Sequence, residues 1–147
     1  MIKTEDLRIG DLVRVNCNCA LAEGTIGTIV EISKETNSYN KKEFVRLNPI
    51  NSVSDYGWGV LSNNIEGIPL TPEILEKNGW KKRTEGWYFM MISKYMYLSV
   101  EFGYENGIRV FLKRTTDGIY VKLNIANNVH ELQHILWALG KDANLKI

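Results

Sequence analysis

Both histidines of the chain stand in His130-Glu131-Leu132-Gln133-His134, two imidazoles four positions apart with a glutamate after the first. On a helix that spacing puts both rings on one face, where they can share a zinc ion, and Glu131 can then deprotonate a zinc-bound water for hydrolysis. A catalytic zinc needs a third protein ligand. Only thirteen residues follow His134, and Asp142 is the sole acid among them, too close for the downstream ligand such sites use. An upstream carboxylate stays open as the third ligand. Glu131 also has a structural role available, because Asn128 at the N-cap and Glu131 at the third helical position form a capping box. The histidines fall opposite the apolar stripe, beside Gln133 and Trp137, so a polar, solvent-facing helix surface accounts for them without metal. Zinc at His130 and His134 is therefore kept as an alternative, and no other cofactor is expected. Should that face bind something, His130, His134 and Trp137 form the contact.

A second set of residues points to recognition. In the strands predicted over 95–123, Tyr95, Tyr97, Ser99 and Glu101, then Arg109, Phe111 and Lys113, then Tyr120 and Lys122 share one side. Aromatic and charged residues dominate this set, where an antiparallel sheet packed on one side ordinarily shows small polar residues. Rings interleaved with Arg and Lys suit stacked bases and phosphate, hence single-stranded nucleic acid or a nucleotide. They equally suit a protein partner or self-association. A third account is packing of this face under the N-terminal half. Cys17 and Cys19 lie two apart, share a face on a strand and have no further cysteines to complete a zinc site, so two reduced thiols are expected.

These groups need a scaffold. The first half reads as short strands over Leu12–Cys17, Ile26–Ser33, Glu43–Leu47 and Gly57–Ser62, bounded by Gly, Asn, Pro or Ser. Such strands hide their edges best by closing into a small barrel. Thr71-Pro72 opens a helix over Pro72–Asn78, stopped at Gly79. A meander follows over Trp87–Ser93, Tyr95–Phe102, Ile108–Arg114 and Ile119–Leu123, with a short strand at Trp80–Arg83 before it. Asn106-Gly107 and Asp117-Gly118 predict type I′ hairpin turns. A final helix runs over Val129–Leu139. Met96, Leu98, Val100 and Phe102, with Ile108, Val110 and Leu112 and with Ile119, Val121 and Leu123, form a continuous apolar face. The stripe Val129, Leu132, Ile135, Leu136 and Leu139 is its matching cover.

Composition sets the outer bounds. The 147 residues are 44% hydrophobic and 24% charged, values that exclude a disordered tail, a collagen repeat and a disulfide scaffold. Residues 1–68 carry 7 basic and 9 acidic side chains and the remainder 11 and 8, so the positive balance lies in the second half. The formal net charge of +1 gives no general pull toward nucleic acid or membrane. No apolar run approaches a membrane span and no apolar signal region opens the chain, so a cytoplasmic location without membrane attachment is expected. No nucleophile–base pair or phosphate-cradling loop is present in the pattern. Gly57-Trp58-Gly59 lacks the strand and helix context of a phosphate loop and reads as a bend.

Leu7-Arg8-Ile9-Gly10-Asp11-Leu12-Val13-Arg14-Val15 followed by Gly24-Thr25-Ile26-Gly27-Thr28-Ile29-Val30 resembles the opening hairpin of Src homology 3-like barrels of the KOW type. That resemblance covers roughly residues 7–68 and implies a barrel used in translation, in peptide binding or as an inert spacer. The segment Gly67–Trp80, together with Val129-His130-Glu131-Leu132-Gln133-His134, is similar to a recurrent group of small uncharacterised proteins of gut Bacteroidetes and their phages. The similarity implies a phage or mobile-element origin and no established activity. The expected architecture is α+β, an N-terminal Src homology 3-like barrel over 1–68 and a helix, four-stranded antiparallel meander and C-terminal helix over 69–147. The expected role is non-catalytic: a binding or adaptor protein acting through protein contacts. A nucleic-acid or nucleotide binder is the first alternative and a zinc hydrolase the second.

Overall fold

The computed structural model describes residues 2–17, 21–37, 40–52 and 57–147. Cys19 lies outside them. The protein is mixed α+β, mostly antiparallel strands in two sheets, and its chain divides into units Met1–Ile68 and Pro69–Ile147.

In the first unit a 3-10 turn at Thr4–Asp6 precedes β1 (Leu12–Val15), β2 (Ile26–Asn37), β3 (Asn40–Pro49) and β4 (Trp58–Leu61). A second 3-10 turn, Ser62–Asn64, leads into β5 (Ile65–Gly67). The sheet order is β4-β3-β2-β1-β5. Val13, Val15, Ile29, Val45, Leu47, Val60 and Ile65 form its core, each no more than 2% exposed. Gly27 stands where β1, β2 and β3 crowd together, since a Cβ there would lie 3.1 Å from the Asn48 carbonyl. Gly24, at φ 85°, occupies the left-handed region in the turn before β2.

The expected closed barrel is not formed among the described residues. β4 and β5 are the two edges, with no ladder between them. β5 has three residues and pairs on one side alone, Gly67 with Val13 and Ile65 with Val15 of β1.

The second unit starts with α1 (Pro72–Lys77), where the Thr71 hydroxyl accepts from the Ile74 N–H (3.4 Å). The strands β6 (Lys81–Thr84), β7 (Trp87–Ser93), β8 (Met96–Glu101), β9 (Arg109–Arg114) and β10 (Tyr120–Ile125) then form one sheet in sequential order. The chain closes with α2 (Val129–Ala138). The Asn128 N–H donates to the Glu131 carboxylate (2.8 Å), the capping box anticipated from sequence. Leu98 pairs with Leu112, and Val100 stands between Tyr88 and Val110, all on the underside. Leu98, Val100, Val110, Val129, Leu132 and Leu136 are no more than 1% exposed.

Two expectations are corrected here. The apolar underside is not covered to its end: Ile119, Val121 and Leu123 are 57%, 58% and 36% exposed. A helix roughly 10 Å across spans about two strands at roughly 4.8 Å spacing, and this sheet has five. The hairpin turns also differ. Gly107 and Gly118 take positive φ, but no non-glycine described residue does, so neither turn is type I′. Both connections are longer than two residues. At the second, the Asp117 carboxylate accepts from the Ile119 N–H (3.1 Å) and the Arg114 guanidinium (2.8 Å), which fixes the loop locally.

Residues 141–147 form no helix or strand and are tied down at three points. Gln133 donates to the Ala143 carbonyl (3.0 Å), Lys141 to the Ile92 carbonyl (2.8 Å), and Asn78 exchanges two hydrogen bonds of 2.8 Å with the Lys146 main chain. No helix among the described residues is long and apolar enough to cross a membrane.

Candidate binding groove on the outer sheet face

The pleat decides which side chains meet. In the β8–β9 pairing Tyr97 opposes Lys113, Ser99 opposes Phe111 and Glu101 opposes Arg109, and β10 adds Tyr120 beside Lys113 and Lys122 beside Phe111. β7 contributes Trp87 opposite Glu101 and Phe89 opposite Ser99. The result is an open groove of about 520 Å³, lined among others by Trp87, Glu101, Tyr104, Arg109, Phe111, Lys113, Tyr120 and Lys122.

At its centre the Lys113 ammonium lies 2.6 Å from Glu101, with both side chains only 13–14% exposed. Three rings surround the same ammonium, Trp87 at 4.3 Å, Phe111 at 5.0 Å and Tyr120 at 5.7 Å. The Trp87 indole donates to the Ser99 hydroxyl, and that hydroxyl donates to Glu101 (3.3 Å). Tyr104 donates to the other Glu101 oxygen (3.0 Å). That bond to the carboxylate, reinforced by its negative charge, holds the Tyr104 phenol above its ordinary value, so it stays a donor through the neutral range. The Arg109 guanidinium lies over the Tyr104 ring at 3.7 Å, and its Nε is buried with no hydrogen-bond partner among the described residues. Arg83 lies over Trp87 at 4.8 Å. Phe111 is buried edge-to-face with Tyr120, which is itself 62% exposed.

Of the residues expected from sequence, Arg109, Phe111, Lys113, Tyr120 and Lys122 come together in this groove. Tyr97 borders it, its ring against Phe89 and its hydroxyl accepting from Arg83 (3.5 Å). Tyr95 is in the β7–β8 turn, 56% exposed under the Lys94 ammonium. Trp137 lies on α2, stacked on His134. Trp87, Tyr104 and Glu101 complete the groove. Carrying the alternation back into β7 would have found Trp87; no periodic signal marks Tyr104 in its loop.

The histidines differ from expectation. His130 is 3% exposed and Gln133 1%, so half of the supposed polar face is interior. For Gln133 the cause is the 141–147 segment, whose Ala143 carbonyl receives its amide. His130 and His134 rings meet edge to face at 5.9 Å. No cluster of three His, Cys, Asp or Glu residues able to hold a metal occurs among the described residues, and the Glu131 carboxylate is held by Asn128. Neither fits a zinc-hydrolase centre.

Compared with known proteins, the chain matches no family model, no curated protein and no solved structure.

Proposed function

We propose that the protein is a non-catalytic binding or adaptor protein whose outer-face groove receives a segment of a protein partner. One observation carries this reading: exposed Tyr120 and Lys122 flank an open groove lined by the Trp87, Tyr104 and Phe111 rings and the Arg109 cation. An acceptor from a partner, a carboxylate or a main-chain carbonyl, pairs with the exposed Lys122 ammonium, and apolar side chains cover the rings. A protein segment suits the groove better than a nucleic-acid strand does. Glu101 neutralises Lys113, the Arg83 and Arg109 guanidinium groups lie over rings, and the lining holds three cations against two carboxylates. Little charge is left to displace counterions from a phosphate backbone.

The likeness of residues 66–140 to small proteins of phages and their hosts agrees with an adaptor role. So does the β1–β2 hairpin, built from the residues that resemble a Src homology 3-like opening strand pair. On this reading the first unit is an opened relative of such barrels and the protein works in the cytoplasm.

The test uses the full chain immobilised as wild type, Arg109→Ala and Tyr120→Ala, exposed to lysate of the source organism. A protein retained by wild type and lost by both variants supports the reading. An unchanged capture profile overturns it. Fluorescent single-stranded oligonucleotides added to the same three proteins supply the rival outcome, binding that falls steeply with salt and disappears in both variants.

A further inference from the structure

We propose that Asn106-Gly107 is a site of spontaneous deamidation and isomerisation, a modification from which the fold shields the same dipeptide at Asn78-Gly79. Glycine follows asparagine at these two places in the chain. Lacking a Cβ, glycine lets its main-chain nitrogen approach the preceding side chain with the least hindrance. The Gly107 nitrogen gives its proton to solvent base and attacks Asn106 Cγ. A C–N bond forms, the bond from Cγ to Nδ2 breaks, and the nitrogen leaves as ammonia after taking a proton from water. Water then opens the resulting cyclic imide at either carbonyl, giving aspartate or an isoaspartate joined through Cγ. Water is the sole co-reactant, and nothing is oxidised or reduced.

The main chain does not separate the two sites. The Gly107 N–H donates to the Tyr104 carbonyl (3.1 Å) and the Gly79 N–H to the Glu76 carbonyl (3.0 Å). Both glycines hold positive φ, 97° and 78°. The asparagine amides separate them. Asn78 Nδ2 donates to the Ile74 carbonyl (2.7 Å) and the Lys146 carbonyl (2.8 Å), while its Oδ1 accepts from the Lys146 N–H (2.8 Å). Turning Cγ toward the Gly79 nitrogen requires those bonds to open first. Asn106 is exposed, and its amide makes no hydrogen bond among the described residues. Packing also retains the labile pair, since a Cβ at Gly107 would run into the Asn127 side chain. Isoaspartate lengthens the main chain inside the turn that begins at Tyr104, the residue that binds Glu101 and lies under Arg109. This inference does not rest on what the groove receives.

The experiment incubates the folded full chain at mildly alkaline pH, samples it over time against a zero-time control, and quantifies aspartate and isoaspartate at each position by peptide mass spectrometry. Asn106 is expected to convert at least about tenfold faster than Asn78, because a reaction confined to locally opened molecules is slowed by the opening equilibrium. The same chain unfolded in guanidinium should convert both positions at similar rates. Lys146→Pro, which lacks the N–H bound to Asn78 Oδ1, should speed conversion at Asn78 and leave Asn106 unchanged. Equal rates at the two positions of the folded chain overturn the proposal. So does an Asn106 that stays intact when folded yet converts when unfolded, or an Asn78 rate that Lys146→Pro leaves unmoved.

Discussion

Glu101 and Lys113 face each other at the floor of the groove, nearly shut from water, and the three rings around the ammonium leave each charge dependent on the other. Removing one partner of such a pair costs about 3 kcal/mol, because the survivor stays buried and unmatched. Lys113→Met is therefore expected to lower the chemical-denaturation midpoint. Lys113→Met combined with Glu101→Gln should recover much of the loss, and additive losses in the double variant would contradict the coupling. Five of the eight binding residues expected from sequence met in this groove because strict alternation places strand residues well. Tyr95 and Trp137 did not, the first because the turn takes it off the strand and the second because it belongs to α2. Gln133 shows a further limit. Helical periodicity assigns a face, but burial depends on which segment returns to that face, and the 141–147 tail returns from outside the helix's own pattern.

Elements were easier to anticipate where local chemistry agrees with packing. Thr71-Pro72 and Asn128–Glu131 set helix starts by caps, and the strands followed from alternation with ends moved by at most four residues. β5 was missed, since three residues carry no period. Leu98 is fully buried in β8 and Leu136 1% exposed in α2. Leu98→Asp or Leu136→Asp is expected to cost more than about 4 kcal/mol, most of a domain's stability, and to abolish the cooperative thermal transition. A sharp transition retained in either variant would show the core to be elsewhere. The β9–β10 connection has its own pH dependence. The Ile119 N–H, with Arg114 beside it, holds the Asp117 carboxyl below its ordinary value. Its stabilisation is complete above the ordinary aspartate value and is lost as pH falls through the depressed one. A carboxyl carbon titration by NMR should place the Asp117 midpoint below that of an unfolded-chain aspartate, and a midpoint at or above it would refute the assignment.

At the scale of the whole chain, each unit carries its own sheet and its own buried side chains. Residues 69–147 expressed alone are expected to keep a cooperative thermal transition and a dispersed NMR spectrum; a collapsed spectrum would contradict this autonomy. Whole-molecule topology was legible for the meander, whose neighbours in sequence are neighbours in the sheet, and less so for the first sheet. There, closure needed a ladder between β4 and β5, a contact between distant segments that no local pattern encodes. The Asn78–Lys146 exchange carries a last consequence, because it joins positions 68 apart in the sequence and works as a clasp on the second unit. Deuterium uptake at Lys146 should then keep pace with the end of α1 instead of running ahead like a loose chain end, and cutting the Asn78 amide back to alanine should release the two to exchange on separate clocks.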